Sequence, residues 1–200
     1  YKITENIECE FMLADQNWSE QISVIIVKDG EKTIKSQQTK EDSTINLDWR
    51  KKVIFEAELP PMSMKRFSVY VERKDKEYKK KSEIFLFDNG VSRVEIDKTT
   101  GLMKSYSVNG IKYVENGFSL CMYEDNPDPW AMGVFQQNGI GEKEEQFALS
   151  EKPSGIFEGL KSVEVIEDGD IYTGIEAFFE KDDSKARIEY RIYKNSPDID

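Results

Sequence analysis

The sequence predicts an all-β protein, in which a smaller β unit precedes an antiparallel β-sandwich. Short segments rich in Val, Ile, Tyr and Phe recur along the chain, and many end at Asp-Gly, Asn-Gly or Pro pairs. Several segments alternate apolar and polar residues, as strands with one buried face do. Helix candidates are scarce. Together these observations favour two packed antiparallel sheets.

The composition is that of a folded globular protein. Its 200 residues suffice for one domain or two small ones, and 12% of them are aromatic. The net charge of −11 argues against a nucleic-acid or anionic-membrane partner, because like charges repel. The sequence has no apolar run of about 18 residues and opens with no signal peptide. We therefore expect no membrane association and a cytoplasmic location.

Residues 1–74 are predicted to form the small β domain. Residues 22–28 (ISVIIVK) are strand-forming and lead into Asp29-Gly30, a pair typical of a hairpin turn. Residues 53–59 alternate until two prolines stop the pattern, and residues 65–72 resume it.

A basic run separates this domain from the rest of the chain. Six basic residues lie within the nine positions from Arg73 to Lys81. Such a run can mark a nucleic-acid patch, but the remainder of the chain is acidic. We therefore interpret residues 75–82 as a charged, solvated linker.

Residues 83–200 are predicted to form the β-sandwich domain, with its C-terminal part incomplete. Asn109-Gly110 predicts a type I′ hairpin, and residues 162–179 predict a hairpin with a two-residue turn at Asp168-Gly169. Residues 186–194 (ARIEYRIYK) alternate as a half-buried antiparallel strand does. Further turns are predicted at Asn89-Gly90 and at Lys98–Gly101.

The cysteines and the absence of histidine limit the catalytic and metal-binding sites that this chain can form. Cys9 and Cys121 are far apart in the sequence, and we predict two buried free thiols rather than a disulfide or a metal pair. The chain has no histidine, the commonest general base and zinc ligand. A Ser-His-Asp triad or a Cys-His pair is therefore excluded within this chain, and we predict no catalytic residue and no metal ligand in it.

The stretch from Tyr123 to Met132 (YEDNPDPWAM) is the candidate binding site. Pro127 and Pro129 remove two backbone donors and favour an extended, stiff loop. The predicted substrate-binding residues are Asp125, Asn126, Asp128 and Trp130. Carboxylates and amides accept hydrogen bonds from sugar hydroxyls, and an indole covers the apolar C–H face of a pyranose.

Other interpretations of this stretch exist. Loops rich in Asp, Asn and Pro are common turn material, so the acids could cap turns while Trp130 lies in the core. Asp125, Asn126 and Asp128 also offer oxygens that suit Ca²⁺, but they are too few for a recognised calcium loop. The sequence leaves open whether Trp130 faces the core or a ligand.

The acidic stretch resembles a loop in the C-terminal β region of glycoside hydrolase family 38 α-mannosidases, particularly bacterial ones. Further stretches resemble that region in the same order, and they span nearly the whole chain. They are DWRKKVIFEAELPPMSMKRFSVYV at 48–71, FDNGVSRVEIDKTTGLMKSYSVNG at 87–110, SGIFEGLKSVEVIEDGD at 154–170 and IEYRIYKNSPDID at 188–200. The resemblance implies a sandwich of galactose-mutarotase-like type.

The resemblance also implies a function. Family 38 enzymes are retaining α-mannosidases with a divalent metal, usually zinc, and two catalytic aspartates in an N-terminal domain that nothing here resembles. We therefore expect a non-catalytic β region that supports its own catalytic domain and contributes to a site for mannose-containing carbohydrate. The alternative is a free-standing carbohydrate-binding sandwich. Resembling enzymes continue beyond SPDID, so an exposed sheet edge could pair copies of the chain.

Overall fold

The computed structural model describes residues 2–12, 21–39, 50–75, 85–123 and 153–200. Within these ranges the chain forms antiparallel sheets and no helix, which confirms the all-β prediction. The described residues accordingly contain no helical membrane span.

The first unit, residues 2–75, consists of two three-stranded sheets. Their orders are β1-β5-β4 and β3-β2-β6, and every pairing is antiparallel. Among the described strands, the chain changes sheet between β1 and β2, between β3 and β4, and between β5 and β6. The strands are β1 (Ile3–Met12), β2 (Gln21–Asp29), β3 (Lys32–Thr33), β4 (Ser36–Thr39), β5 (Arg50–Leu59) and β6 (Ser68–Asp75).

Alternate residues of β2 and β5 form the core of the first unit. Ile25 and Val27 of β2 pack with Val53, Phe55 and Ala57 of β5, and all five side chains are buried. This period-two burial is what the alternating sequence predicts. The predicted linker lies almost wholly outside the described residues, so the domain boundaries stay a prediction.

The second unit, residues 85–200, has a four-stranded sheet, β10-β9-β8-β7, and a three-stranded sheet, β13-β14-β15. A short ribbon, β11-β12, accompanies them. The strands are β7 (Leu86–Asp88), β8 (Ser92–Ile96), β9 (Met103–Val108), β10 (Ile111–Glu115), β11 (Cys121–Met122), β12 (Gly155–Ile156), β13 (Leu160–Asp168), β14 (Tyr172–Lys181) and β15 (Ser184–Tyr193).

The two larger sheets of this unit pack face to face. Val94 and Ile96 of β8 contact a cluster that contains Val165 of β13, Ile175 of β14 and Ile192 of β15, and all are buried. Packing of two antiparallel sheets around one apolar layer is the β-sandwich that the sequence predicts. The galactose-mutarotase-like type stays an implication of the resemblance.

The turns follow the sequence with two exceptions. At the predicted turn Asp29-Gly30, Asp29 still pairs with Lys32, so Gly30 and Glu31 make the turn instead. Asn109 and Gly110 have φ angles of 49° and 78° and join paired strands, as a type I′ turn requires. The predicted turn at Asp168-Gly169 is wrong, because Asp168 still pairs with Thr173 in the ladder. Residues 169–171 make the connection instead. Ile171, the last residue of this connection, lies in a buried cluster with Ile54 of the first unit.

Candidate functional site

The four predicted sugar-contacting residues, Asp125, Asn126, Asp128 and Trp130, lie outside the described residues, which stop at 123 and resume at 153. The chain on either side of them is described. Cys121 pairs with Ile156 and Met122 with Gly155 in the β11-β12 ribbon. The prediction that the acidic stretch follows a strand is therefore confirmed, although that strand is only two residues long.

Backbone hydrogen bonds extend this ribbon at both ends. Ser154 N donates to Met122 O over 2.8 Å, and Phe157 N donates to Leu120 O over 2.7 Å. The two flanks of the acidic stretch are thus joined at their base. Tyr123, the first residue of the stretch and the last one described before residue 153, is 47% exposed.

The cysteines are free, as predicted, but only one of them is shielded. Cys9 is half-buried in β1 against the core of the first unit. Cys121 is exposed, so the prediction of two buried thiols is wrong for it. The reason is its position in a two-residue strand of a two-stranded ribbon, which offers little apolar cover.

A groove of about 710 Å³ lies between the faces of β9, β10 and β15, in the described part of the sandwich. Its volume is in the range of sites that hold small molecules. Aromatic, aliphatic and acidic side chains share its lining. They are Met103, Tyr106, Val114, Phe118, Ile188, Glu189, Tyr190, Asp198, Ile199 and Asp200.

Aromatic rings supply the apolar part of this lining. Phe118 is 43% exposed, and its ring centroid lies 6.3 Å from that of Tyr190. The ring of Tyr106 lies 6.2 Å from that of the exposed Tyr113. Exposed ring faces of this kind can pack against the C–H face of a sugar, and equally against other flat apolar groups.

Carboxylates supply the polar part of the groove. Asp198 Oδ2 accepts a bond from Ser196 Oγ over 2.7 Å, and Asp200 Oδ2 accepts one from Tyr193 Oη over 2.6 Å. Glu189, the third carboxylate, receives Arg191 Nε over 3.4 Å. Because an ionised carboxylate has about four acceptor positions, such groups can accept further donors such as hydroxyls.

Tyrosine hydroxyls around the groove act as donors. Burial raises the pKa of Tyr190 to about 12, and its hydroxyl donates to Gly101 O over 3.0 Å. Burial and the nearby charge of Asp198 raise the pKa of Tyr106, which donates to Pro197 O over 2.7 Å. These protonated hydroxyls tie the groove wall to neighbouring backbone.

The arrangement is suited to binding a neutral, hydroxylated molecule. Aromatic faces and acceptor carboxylates lie side by side, whereas an anion would meet Glu189, Asp198 and Asp200. Among the described residues no three His, Cys, Asp or Glu side chains come together as a metal site. The expectations of no catalytic residue and no cofactor in this chain stay predictions.

Sequence reasoning missed this groove. Phe118 lies just before the acidic stretch, and Asp198 and Asp200 belong to the SPDID ending, but nothing in the sequence brings them together. The tertiary packing of β15 against β9 does so. The one sequence feature that could have indicated the groove was the acidic pair Asp198 and Asp200, which follows the alternating strand at 186–194.

The comparisons with known proteins bear on the same part of the chain. A family model described as the glycosyl hydrolases family 38 C-terminal domain matches residues 87–200, which is more than half of the chain. The chain belongs to glycosyl hydrolase family 38. No curated protein and no solved structure matches it.

The family 38 C-terminal domain therefore begins with β7, contains both sheets of the second unit, and includes the whole acidic stretch. The family resemblance of the sequence is confirmed for this domain. The bacterial type and the separate catalytic half stay predictions.

Proposed function

We propose that this chain is the non-catalytic β region of an α-mannosidase-like glycoside hydrolase. It supports the catalytic domain and contributes the stretch containing Asp125, Asn126, Asp128 and Trp130 to the wall of a sugar site. The partners in this proposal are the enzyme's own catalytic domain and a mannose-containing carbohydrate. The zinc ion and the catalytic aspartates belong to that other domain, and the protein is cytoplasmic.

The family 38 match over residues 87–200 carries this proposal. The β11-β12 ribbon supports it, because its hydrogen bonds join the described chain on either side of the acidic stretch.

A second candidate function is a free-standing carbohydrate-binding sandwich. The groove between β9, β10 and β15 favours it, since aromatic and acidic side chains of this chain alone line that groove. Pairing of copies through an exposed sheet edge stays a prediction under both functions.

One experiment tests the main proposal and separates the two functions. The purified 200-residue chain is incubated with 4-nitrophenyl α-D-mannoside with and without added Zn²⁺, and is titrated with methyl α-D-mannoside in a calorimeter. We expect no turnover and weak binding, because the rest of the sugar site is on another domain. Zinc-dependent turnover by the chain alone would overturn the proposal. Tight mannoside binding without turnover would favour the free-standing module.

The coding sequence provides an independent check. The main proposal expects the open reading frame to extend upstream into a domain with histidine and aspartate metal ligands. A gene that starts near Tyr1 would contradict it.

A further inference from the structure

Gln37 reaches from β4 of the first unit into the backbone of the second. Its Oε1 accepts hydrogen bonds from Ile171 N over 3.1 Å and from Tyr172 N over 2.9 Å. Gln37 is 7% exposed, and Ile171 and Tyr172 are 0% and 1% exposed. Buried N–H groups need acceptors, and here a single side-chain oxygen serves both, as a neighbouring strand would.

Gly169 makes room for this amide. A Cβ atom at Gly169 would lie 2.3 Å from Cδ and 2.4 Å from Oε1 of Gln37. Gly169 is not among the glycines with positive φ, so its backbone conformation alone does not require glycine. The contact with Gln37 is what excludes a side chain there.

An apolar cluster and a polar rim surround the Gln37 contact. Ile54 of β5 packs with Ile171 and Tyr172, and all three are buried. At the rim, Asn195 Nδ2 donates to Asn6 Oδ1 over 2.8 Å and to Glu56 Oε2 over 2.7 Å. A buried apolar centre with hydrogen bonds around it is the usual anatomy of a stable interface.

We propose that this contact is a permanent docking surface between the two units, and that Gln37 is the residue that fixes their relative position. The partner of the surface is the chain's own β1-β5-β4 sheet. The family 38 domain matched at 87–200 is then not an independent folding unit, because two of its buried N–H groups depend on a residue fifty positions upstream of the match. The two units unfold in one cooperative transition.

The first test compares Gln37→Ala with Gln38→Ala in the full 200-residue chain. Gln38 is the next residue of the same strand and is exposed, so it is a matched control. We expect Gln37→Ala to lower Tm by roughly 4–8 °C and to speed amide hydrogen exchange at Ile171 and Tyr172. Gln38→Ala should change neither. Equal effects of the two variants would overturn the proposal, and so would two separate thermal transitions in the unmodified chain.

The second test is a double-mutant cycle with Gly169→Ala. We expect Gly169→Ala to lower Tm while Gln37 is present, and to add little in the Gln37→Ala background, where the clashing atoms are gone. Additive effects would show that Gly169 and Gln37 do not act on each other.

A third test does not depend on a destabilised variant. A protease site is inserted between residues 76 and 84, and the chain is cut after folding. Docked halves should elute together from a size-exclusion column at micromolar concentration. Separation of two folded halves would overturn the proposal.

Discussion

Arg191 Nη1 donates to Glu8 Oε2 over 3.1 Å, across 183 positions of the sequence. The same carboxylate accepts Lys52 Nζ over 2.6 Å. Glu8 therefore bridges one cation from its own sheet and one from β15 of the second unit. Arg191 in turn lies over the ring of Tyr172, with its guanidinium carbon 5.5 Å from the ring centroid.

Replacing Glu8 should show how much its ion pairs contribute to the free energy of unfolding. The Glu8 and Arg191 side chains are 34% and 22% exposed, so water screens their attraction in part. We expect Glu8→Gln to lower the free energy of unfolding by about 1 kcal/mol at low salt, and by less in 1 M NaCl. Urea unfolding at both salt concentrations measures this. Glu5→Gln, at an exposed position of the same strand, is the control. A loss that does not depend on salt would contradict the prediction.

Asn89 connects the start of the family 38 domain to its end. Its Nδ2 donates to Tyr193 O over 3.2 Å and to Ser196 O over 2.9 Å. Its Oδ1 accepts from the backbone N of Val91 and of Ser92. We expect Asn89→Ala to lower the free energy of unfolding by about 2–4 kcal/mol, because several of these groups lose their partner at once. Urea unfolding is the measurement.

The matched control for Asn89 is its neighbour Asp88. Asp88 Oδ1 accepts one exposed bond from Gly90 N, so Asp88→Ala should cost only about 0.5–1.5 kcal/mol. Equal losses for the two variants would show that the bonds to β15 and to the following segment contribute nothing.

The pKa of Tyr190 predicts a loss of stability at alkaline pH. Its pKa is raised from 10.0 to about 12 in the folded chain, so between these values the folded state holds a proton that the unfolded state releases. The free energy of unfolding should therefore be unaffected by this group below pH 10, and should fall as pH rises toward 12. In Tyr190→Phe the fall should be shallower. Urea unfolding between pH 9 and 12 measures the slope, with the exposed Tyr113→Phe as the control. An unchanged slope in Tyr190→Phe would contradict the prediction.

A comparison of Gly101 with Gly90 separates two reasons why a position requires glycine. One is a positive φ angle, and the other is a lack of space for a side chain. Both have positive φ, at +71° and +84°. A Cβ at Gly101 would also lie 2.7 Å from Leu160 Cδ1 and 2.9 Å from Ala177 Cβ, whereas nothing lies within 4 Å at Gly90. We expect Gly90→Ala to cost about 1–2 kcal/mol from the backbone alone, and Gly101→Ala to cost about 2–4 kcal/mol because overpacking is added. Thermal unfolding compares them, and equal costs would count against the packing argument.

Trp130 offers a prediction that separates its two proposed roles. If Trp130 lies in the core, Trp130→Ala should lower the free energy of unfolding of this chain by about 3–5 kcal/mol. If it faces a sugar, the loss should be small, and the damage should fall on turnover in the complete enzyme. Asp128→Ala should then spare stability and reduce turnover about ten- to a hundredfold. Melting curves and mannosidase kinetics of the two variants check this.

Local patterns were sufficient to predict the strands and most turns. Asn109-Gly110 adopts the two positive φ angles that its residue types favour, and Ile188, Tyr190 and Ile192 face inward as their spacing predicts. These features depend on neighbours in sequence. The order and spacing of similar stretches, rather than any one residue, were sufficient to predict the family.

Long-range contacts had no local signature. Gln37 stands in a polar segment and looks like a surface residue, yet it is buried against a backbone 134 positions away. The groove residues Phe118 and Asp198 likewise come together only through packing. The turn at Asp168-Gly169 was predicted wrongly for the same reason, since the place of Ile171 in the contact between the units decides its length.

The β11-β12 ribbon has a consequence for how such a protein can change over evolutionary time. Its hydrogen bonds hold Met122 beside Gly155, so the number of residues between them enters the stability of the ribbon through the entropy of chain closure. Each doubling of a flexible loop costs only about 0.6 kcal/mol in closure entropy. A change in the number of residues between Met122 and Gly155 should therefore alter this closure entropy only slightly, and the same ribbon can close segments of different lengths.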